Sequence, residues 1–169
     1  MKSPLVRITL FLAIAAAVTL LVRLLPTEED RIRVVLLKAQ RAVSSEGRPN
    51  TPIDALARAG EIAGCITRDV VIQVDVFGLG SGTIQGADEV RAAAASLPQQ
   101  FPGLKVQIDE IKVVIDGPDT AHGSFVATTA LPGGRKGEGG AQEFNVRFRK
   151  FEGRWYMSRI ETVRTLQQR

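Results

Sequence analysis

Residues 142–164 run Gln-Glu-Phe-Asn-Val-Arg-Phe-Arg-Lys-Phe-Glu-Gly-Arg-Trp-Tyr-Met-Ser-Arg-Ile-Glu-Thr-Val-Arg, and their alternation decides the fold. Phe144, Val146 and Phe148 fall two residues apart, as do Trp155 and Met157 beyond the Glu152-Gly153 pair. Apolar residues at period two, broken by a two-residue turn containing glycine, describe a β-hairpin with one buried face. The spacing therefore predicts a strand over 142–151, a turn at Glu152-Gly153, and a strand over 154–164.

The same period continues upstream. Residues 105–115 (KVQIDEIKVVI) alternate as Val106 and Ile108, then Ile111, Val113 and Ile115, and the change of phase at Asp109-Glu110 predicts a bulge. Asp116-Gly117-Pro118-Asp119 is a turn, residues 120–131 a strand, and residues 132–140 a glycine-rich loop. Residues 69–77 (DVVIQVDVF) read as a further strand with Val70, Ile72, Val74 and Val76 on one face. After the Gly78-Leu79-Gly80-Ser81-Gly82 turn, Thr83-Ile84-Gln85 can pair back on it.

Three helical patterns precede or interrupt these strands. Thr27 with Asp30 three residues on is a capping-box pattern, and Ile32, Val35, Leu36, Ala39 and Val43 recur at helical spacing towards Gly47. Thr51-Pro52 opens a second, shorter helix, on which Ile53, Leu56, Ala57, Gly60 and Ala63 mark the face expected to pack inward. A third helix spans Ala87 to Leu97 and is expected to stop at Pro98.

The first 25 residues differ from all of this. Ile8 to Val22 (ITLFLAIAAAVTLLV) is uncharged and nearly all apolar, and Leu24 and Leu25 extend the run past Arg23. At 1.5 Å per residue a helix over 8–25 reaches roughly 27 Å, close to the hydrocarbon thickness of a bilayer. Lys2 and Arg7 precede the run while Glu28, Glu29 and Asp30 follow Pro26, so positive-inside bias leaves the N-terminus cytoplasmic and the remainder outside. Ala15 and Ala17 would suit a signal-peptide cleavage site, but the apolar run continues beyond them, which favours an uncleaved anchor. The expected organisation is a cytoplasmic N-terminus at 1–7, a single-pass membrane anchor at 8–25, one extracytoplasmic domain at 28–165 and a tail at 166–169.

Composition mainly excludes. The chain has 169 residues with 22 Lys plus Arg against 18 Asp plus Glu, one-domain length with room for a core. Lys2, Arg7 and Arg23 lie in the acid-free first 25 residues, so the remainder holds 19 basic against 18 acidic residues. A nearly neutral domain has no electrostatic footprint for a phosphate backbone, and nucleic acid is not an expected partner. One Cys and one His forbid an internal disulfide and leave no usual metal-ligand set, so no metal and no cofactor is expected. The Gly78–Gly82 stretch lacks the Lys-Ser/Thr of a phosphate loop.

Two helices, a short strand pair ending in Gly82-Thr83-Ile84-Gln85-Gly86-Ala87-Asp88-Glu89-Val90, a helix, then long strands closing on Phe151-Glu152-Gly153-Arg154-Trp155-Tyr156-Met157-Ser158-Arg159-Ile160 resemble the nuclear transport factor 2-like, or SnoaL-like, superfamily over about residues 28–165. The resemblance implies an α+β fold, a cone-shaped, curved antiparallel sheet wrapped on about three helices, here preceded by one transmembrane helix. It also implies an open end that is often a pocket. Members include isomerases, dehydratases, cyclases and epoxide hydrolases, and many without chemistry, so fold alone does not choose.

The residues weigh on that choice. Parity sets Phe125, Thr129, Phe144, Phe148, Trp155 and Met157 on the concave face as candidate pocket-lining residues, nearly all apolar. Tyr156, His122 and Asp75 fall on the opposite parity, and Ile160 argues that Glu161 does too. No catalytic residue is assigned. The expectation is a non-catalytic binding or assembly module of the cell envelope, resembling in architecture the periplasmic assembly subunits of type IV secretion systems. A homodimer or an envelope protein would dock on the outer sheet face around Val126, Thr128, Arg147 and Arg149. The alternative is a membrane-tethered isomerase, cyclase or hydrolase, or a binder of a small hydrophobic ligand, using the cone.

Overall fold

Thr27 and Asp30 form the expected capping box: the Thr27 hydroxyl accepts from the Asp30 amide, and the Asp30 carboxylate accepts from the Thr27 amide and hydroxyl. With three acids in the first turn opposing the helix dipole, α1 (Glu28–Val43) is stabilised where it begins. In the computed structural model, which describes residues 26–45, 51–76, 80–130 and 140–163, α1 is followed by α2 (Pro52–Ala63) and the strands β1 (Ile66–Val76) and β2 (Gly80–Gln85). Next come α3 (Ala87–Gln100), β3 (Lys105–Ile115), β4 (Thr120–Ala130), β5 (Ala141–Phe151) and β6 (Arg154–Thr162). The membrane segment expected at 8–25 lies outside the described residues, and among these no helix is long and apolar enough to cross a membrane.

The six strands form one sheet in the order β2-β1-β6-β5-β4-β3. The sequence reading made this sheet antiparallel throughout; one pairing corrects it, because β1 runs parallel to β6. β1 and β6 are joined through the rest of the sheet and not by a tight turn, so nothing local obliges them to oppose. The hairpin expected over 142–164 forms, with β5 and β6 joined at Glu152-Gly153. Glu152 and Gly153 take φ of 50° and 76°, the paired positive φ of a turn whose twist matches the strands it joins.

Besides a shift on β1 between Ile66 and Val71, two bulges decide which side chains face inward. Asp109 pairs Val126 and Lys112 pairs Ser124, leaving Glu110 at φ 52° in the shift. This keeps Val106, Ile108, Ile111 and Val113 on the inner side. On β6, Met157 pairs Phe148 but Arg159 pairs Arg147, with Ser158 as the extra residue. The slip turns Ile160 inward with Met157 and sends Glu161 outward.

β3 is a sheet edge, and the end of α1 covers it. The Ser44 hydroxyl donates to the Val106 carbonyl and accepts from its amide, both at 3.1 Å, while Gln40 Oε1 accepts from the Ile108 amide at 3.1 Å. Backbone groups that would recruit another strand are thereby occupied.

Ile32 and Leu36 of α1 are buried against Val70, Val146, Phe148, Trp155 and Met157, so the core lies between α1 and the inner sheet face. Two helix expectations are corrected. α3 continues two residues past Pro98, which is itself buried, because a proline in the last turn forfeits only one bond and Phe101 closes that turn on the Leu97 carbonyl at 2.8 Å. On α2 the buried residues are Ala55, Arg58, Ala59 and Ile62, while Ile53 and Leu56 are exposed. Both stripes have helical spacing. The one with small alanines is the one that lets α2 approach α3, its main neighbour.

Candidate functional site

The fold offers two surfaces on which chemistry could be built, the inside of the curved sheet and its outside. Inside, the residues expected to line a pocket sit as follows. Phe125, Phe148, Trp155 and Met157 are buried in the core cluster, and Phe144 and Thr129 are half-buried. Phe144 stacks on Phe125 with ring centroids 5.3 Å apart and 16° between planes. Among the described residues the buried polar side chains are Cys65, whose thiol donates to the Glu61 carbonyl at 3.3 Å, Arg58, Ser45 and Thr67. Burial pushes the Cys65 thiol up, only partly opposed by the Lys38 charge, so it is not poised as a nucleophile. The Arg58 guanidinium carries donors and no acceptor.

At the rim of the core Glu28 accepts from Trp155 Nε1 at 2.6 Å and from Lys150 Nζ at 2.8 Å, and Lys150 lies 5.4 Å from the Trp155 ring centre. The bond from Lys150, then that from Trp155, holds the Glu28 carboxyl below its ordinary range against the opposing effect of burial. This acid is committed to structure.

Outside, the register gathers the ionisable residues that the sequence leaves scattered. His122 of β4 pairs Arg147 of β5, which pairs Arg159 of β6, so three basic side chains form one row across three strands. The β3–β4 turn returns its Asp116 amide to the Thr120 carbonyl and so sets the Asp116 carboxylate 2.8 Å from His122 Nδ1. Asp69 of β1 pairs with Arg149 at 3.2 Å, and Glu161 with Arg159. Among the described residues Arg147 has no acid partner. All of these but Glu161 border an open depression of about 580 Å³ that also includes Ser158. A neighbouring one of about 540 Å³ is bordered by Gln73, Asp75, Thr83 and Glu161.

Ser158 and His122 stand on strands separated by β5, about 10 Å apart by strand spacing, too far for a nucleophile and its base. The Ser158 hydroxyl is engaged with the Arg147 carbonyl at 3.2 Å. Among the described residues no group of His, Cys, Asp and Glu is placed to hold a metal ion. The two guanidiniums of Arg147 and Arg159 stand directly opposite, and like charges in that position destabilise a sheet where an anion does not offset them. Asp69 and Asp116 were missed as site residues by sequence reasoning; each lies in a turn or strand whose position beside Arg149 or His122 only the sheet pairing reveals.

A profile of the SnoaL-like domain matches residues 53–161. The chain belongs to the SnoaL-like domain family. Solved structures agree on the fold. An NTF2-like protein with a cystatin-like fold from Novosphingobium aromaticivorans superposes with a TM-score of 0.60 at 16% identity, covering 92% of this chain and 90% of that one. A Mycobacterium tuberculosis protein of unknown function gives 0.58 at 20% identity over 80% and 76%. A Novosphingobium aromaticivorans protein proposed to be a scytalone dehydratase gives 0.58 at 13% identity over 80% and 82%. No curated protein sequence is significantly similar to the chain. At these identities the SnoaL-like fold is what is shared, and its chemistry is not carried across.

Proposed function

We propose that this SnoaL-like domain is a non-catalytic binding or assembly module of the cell envelope, tethered by residues 8–25 with its N-terminus in the cytoplasm, and that its working surface is the outer sheet face. The observation that carries the reading is the Arg147–Arg159 pairing: two guanidiniums side by side across β5 and β6, of which only Arg159 has a carboxylate among the described residues. An acidic surface brought to this face would relieve that repulsion, whether from another envelope protein or a second copy. A second copy related by a two-fold would set the basic end, with Arg147 and Arg149, against the end carrying Glu143 and Glu161. Val126 and Thr128, further along β4 at the end where Val126 pairs Glu143 and Thr128 pairs Ala141, complete the contact area.

The second reading, a tethered isomerase, cyclase or hydrolase, draws on the structural neighbour proposed to be a scytalone dehydratase and needs a proton-exchanging group inside the cone. The inner residues Phe125, Phe144, Phe148, Trp155 and Met157 do not supply one, and neither Cys65 nor Arg58 has the chemistry. A small hydrophobic ligand would need the cone open around those same residues.

Cross-linking tests the reading in place. With Arg147→Cys in the full chain, a bifunctional maleimide applied to intact membranes is expected to give a product of twice the chain's mass or a defined heavier adduct. Position 147 as reactive in intact membranes as in detergent-solubilised chain, with no adduct, would sink it.

A further inference from the structure

The apolar stripe that helical spacing marks on α2 is turned to solvent: Ile53 is 81% exposed and Leu56 65%, with Ala57 and Gly60 exposed beside them. α1 does the same with Val34 at 58% and Leu37 at 41%. Val34, Leu37, Lys38 and Arg41 follow at spacings of three and four and so share one side of α1, with exposed Arg33 flanking them. Any one exposed aliphatic residue would need no account. Four of them lie on two helices that pack against each other, with exposed Arg33, Lys38 and Arg41 on α1.

We infer that these two stripes rest on the lipid surface of the membrane that holds the chain, the aliphatic side chains entering the headgroup boundary and Arg33, Lys38 and Arg41 meeting anionic headgroups. The inference rests on the tether reading above. The apolar run ends at Leu25 and α1 begins at Glu28, so three residues span at most roughly 10 Å between membrane and helix. Val34 and Leu37 lie only about 9–14 Å further along α1. The apolar surface is continuous with that junction: a depression of about 480 Å³ is bordered by Pro26, Val34, Lys38 and Trp155. The composition also separates lipid from protein as the occupant. Interface cores between proteins are depleted of Lys, whereas Leu, Ile and Val interleaved with Lys and Arg, whose stems lie along the apolar surface while their heads reach outward, are what interfacial helices carry.

The test uses the full chain reconstituted into phosphatidylcholine vesicles containing phosphatidylglycerol, with a nitroxide quencher on a fraction of the headgroups. Leu56→Cys, Leu37→Cys and, on the far side of the sheet, Lys112→Cys are each labelled with an environment-sensitive fluorophore; buried Cys65 stays unlabelled. Blue-shifted, quenched emission at 37 and 56 but not at 112 is expected, and Ile53→Ser with Leu56→Ser should lower the docked-to-undocked ratio read at 37 by about tenfold or more. A chain that floats with the vesicles yet is quenched no more at 56 than at 112 overturns the docking and leaves the tether standing. Failure to float overturns both. Shielding at 56 that rises with protein-to-lipid ratio and is insensitive to the nitroxide assigns the stripe to a second copy and overturns the lipid contact.

Discussion

Trp155 Nε1 donates to Glu28 Oε2 at 2.6 Å, across 127 positions of sequence. The first residue of α1 is thereby fastened to the last hairpin. Since Lys150 donates to the same oxygen at 2.8 Å, one carboxylate orients both the helix and the indole that fills the core.

The pH dependence follows from that bond. Glu28 titrates below its ordinary value of 4.5, chiefly through Lys150 and then Trp155. A carboxyl lowered in the folded state gives stability that is present above the unfolded value and lost as pH falls through the folded one. Urea midpoints followed by the single tryptophan should therefore fall on acidification below about pH 4.5. Glu28→Gln should start lower at neutral pH and lose less on the way down; an unchanged acid slope would contradict the assignment.

Arg58 is 4% exposed and, among the described residues, none of its three side-chain nitrogens has a hydrogen-bond partner. A buried unpaired charge is worse than an apolar group of similar volume, so Arg58→Met should raise stability by about 1–4 kcal/mol. Thermal melts read it directly, and a lower melting temperature would mean that the guanidinium is compensated.

Phe148 is 1% exposed and central to the core. Phe148→Ala should cost about 3–5 kcal/mol, the range for emptying a fully packed aromatic site. Denaturant unfolding that moves by less than about 1 kcal/mol would show that this part of the core is loosely filled.

At Gly123 an added Cβ would lie 2.3 Å from the Lys112 carbonyl oxygen of the neighbouring strand, just beyond the β3 bulge. Backbone cannot retreat as a side-chain end can, so Gly123→Ala should destabilise by about 1–3 kcal/mol. Faster amide exchange confined to β3 and β4 would locate the damage.

If two copies meet on the outer sheet face, Arg147→Glu in the detergent-solubilised full chain should shift sedimentation towards the monomer. Unchanged sedimentation would remove Arg147 from any self-contact.

Much of this architecture is legible because burial on one face leaves a period-two imprint. Phe144, Val146 and Phe148 on β5 and the phase slip at Asp109-Glu110 on β3 could be read without neighbours, as could the caps at Thr27 and Thr51. Helix α2 was misread for a physical reason. Ile53-Leu56-Gly60 and Ala55-Ala59-Ile62 are both helical stripes, and hydrophobicity favours the first while close approach to α3 selects the second. Nor could the sequence show that β1 would lie parallel to β6, since that pairing has no local turn to announce it.

By itself the sequence determined the α+β class, the hairpin order of the last four strands and which side chains share a face, since periodicity and turn chemistry act over a few neighbouring residues. Only the tertiary structure decided which faces meet. Sheet register brought His122, Arg147 and Arg159 into one row, the Ser158 bulge sent Glu161 outward, and helix packing turned Ile53 and Leu56 to the outside. Each of these depends on contacts between segments far apart in the chain, where the free energy of packing, rather than local propensity, chooses between patterns that the sequence offers equally.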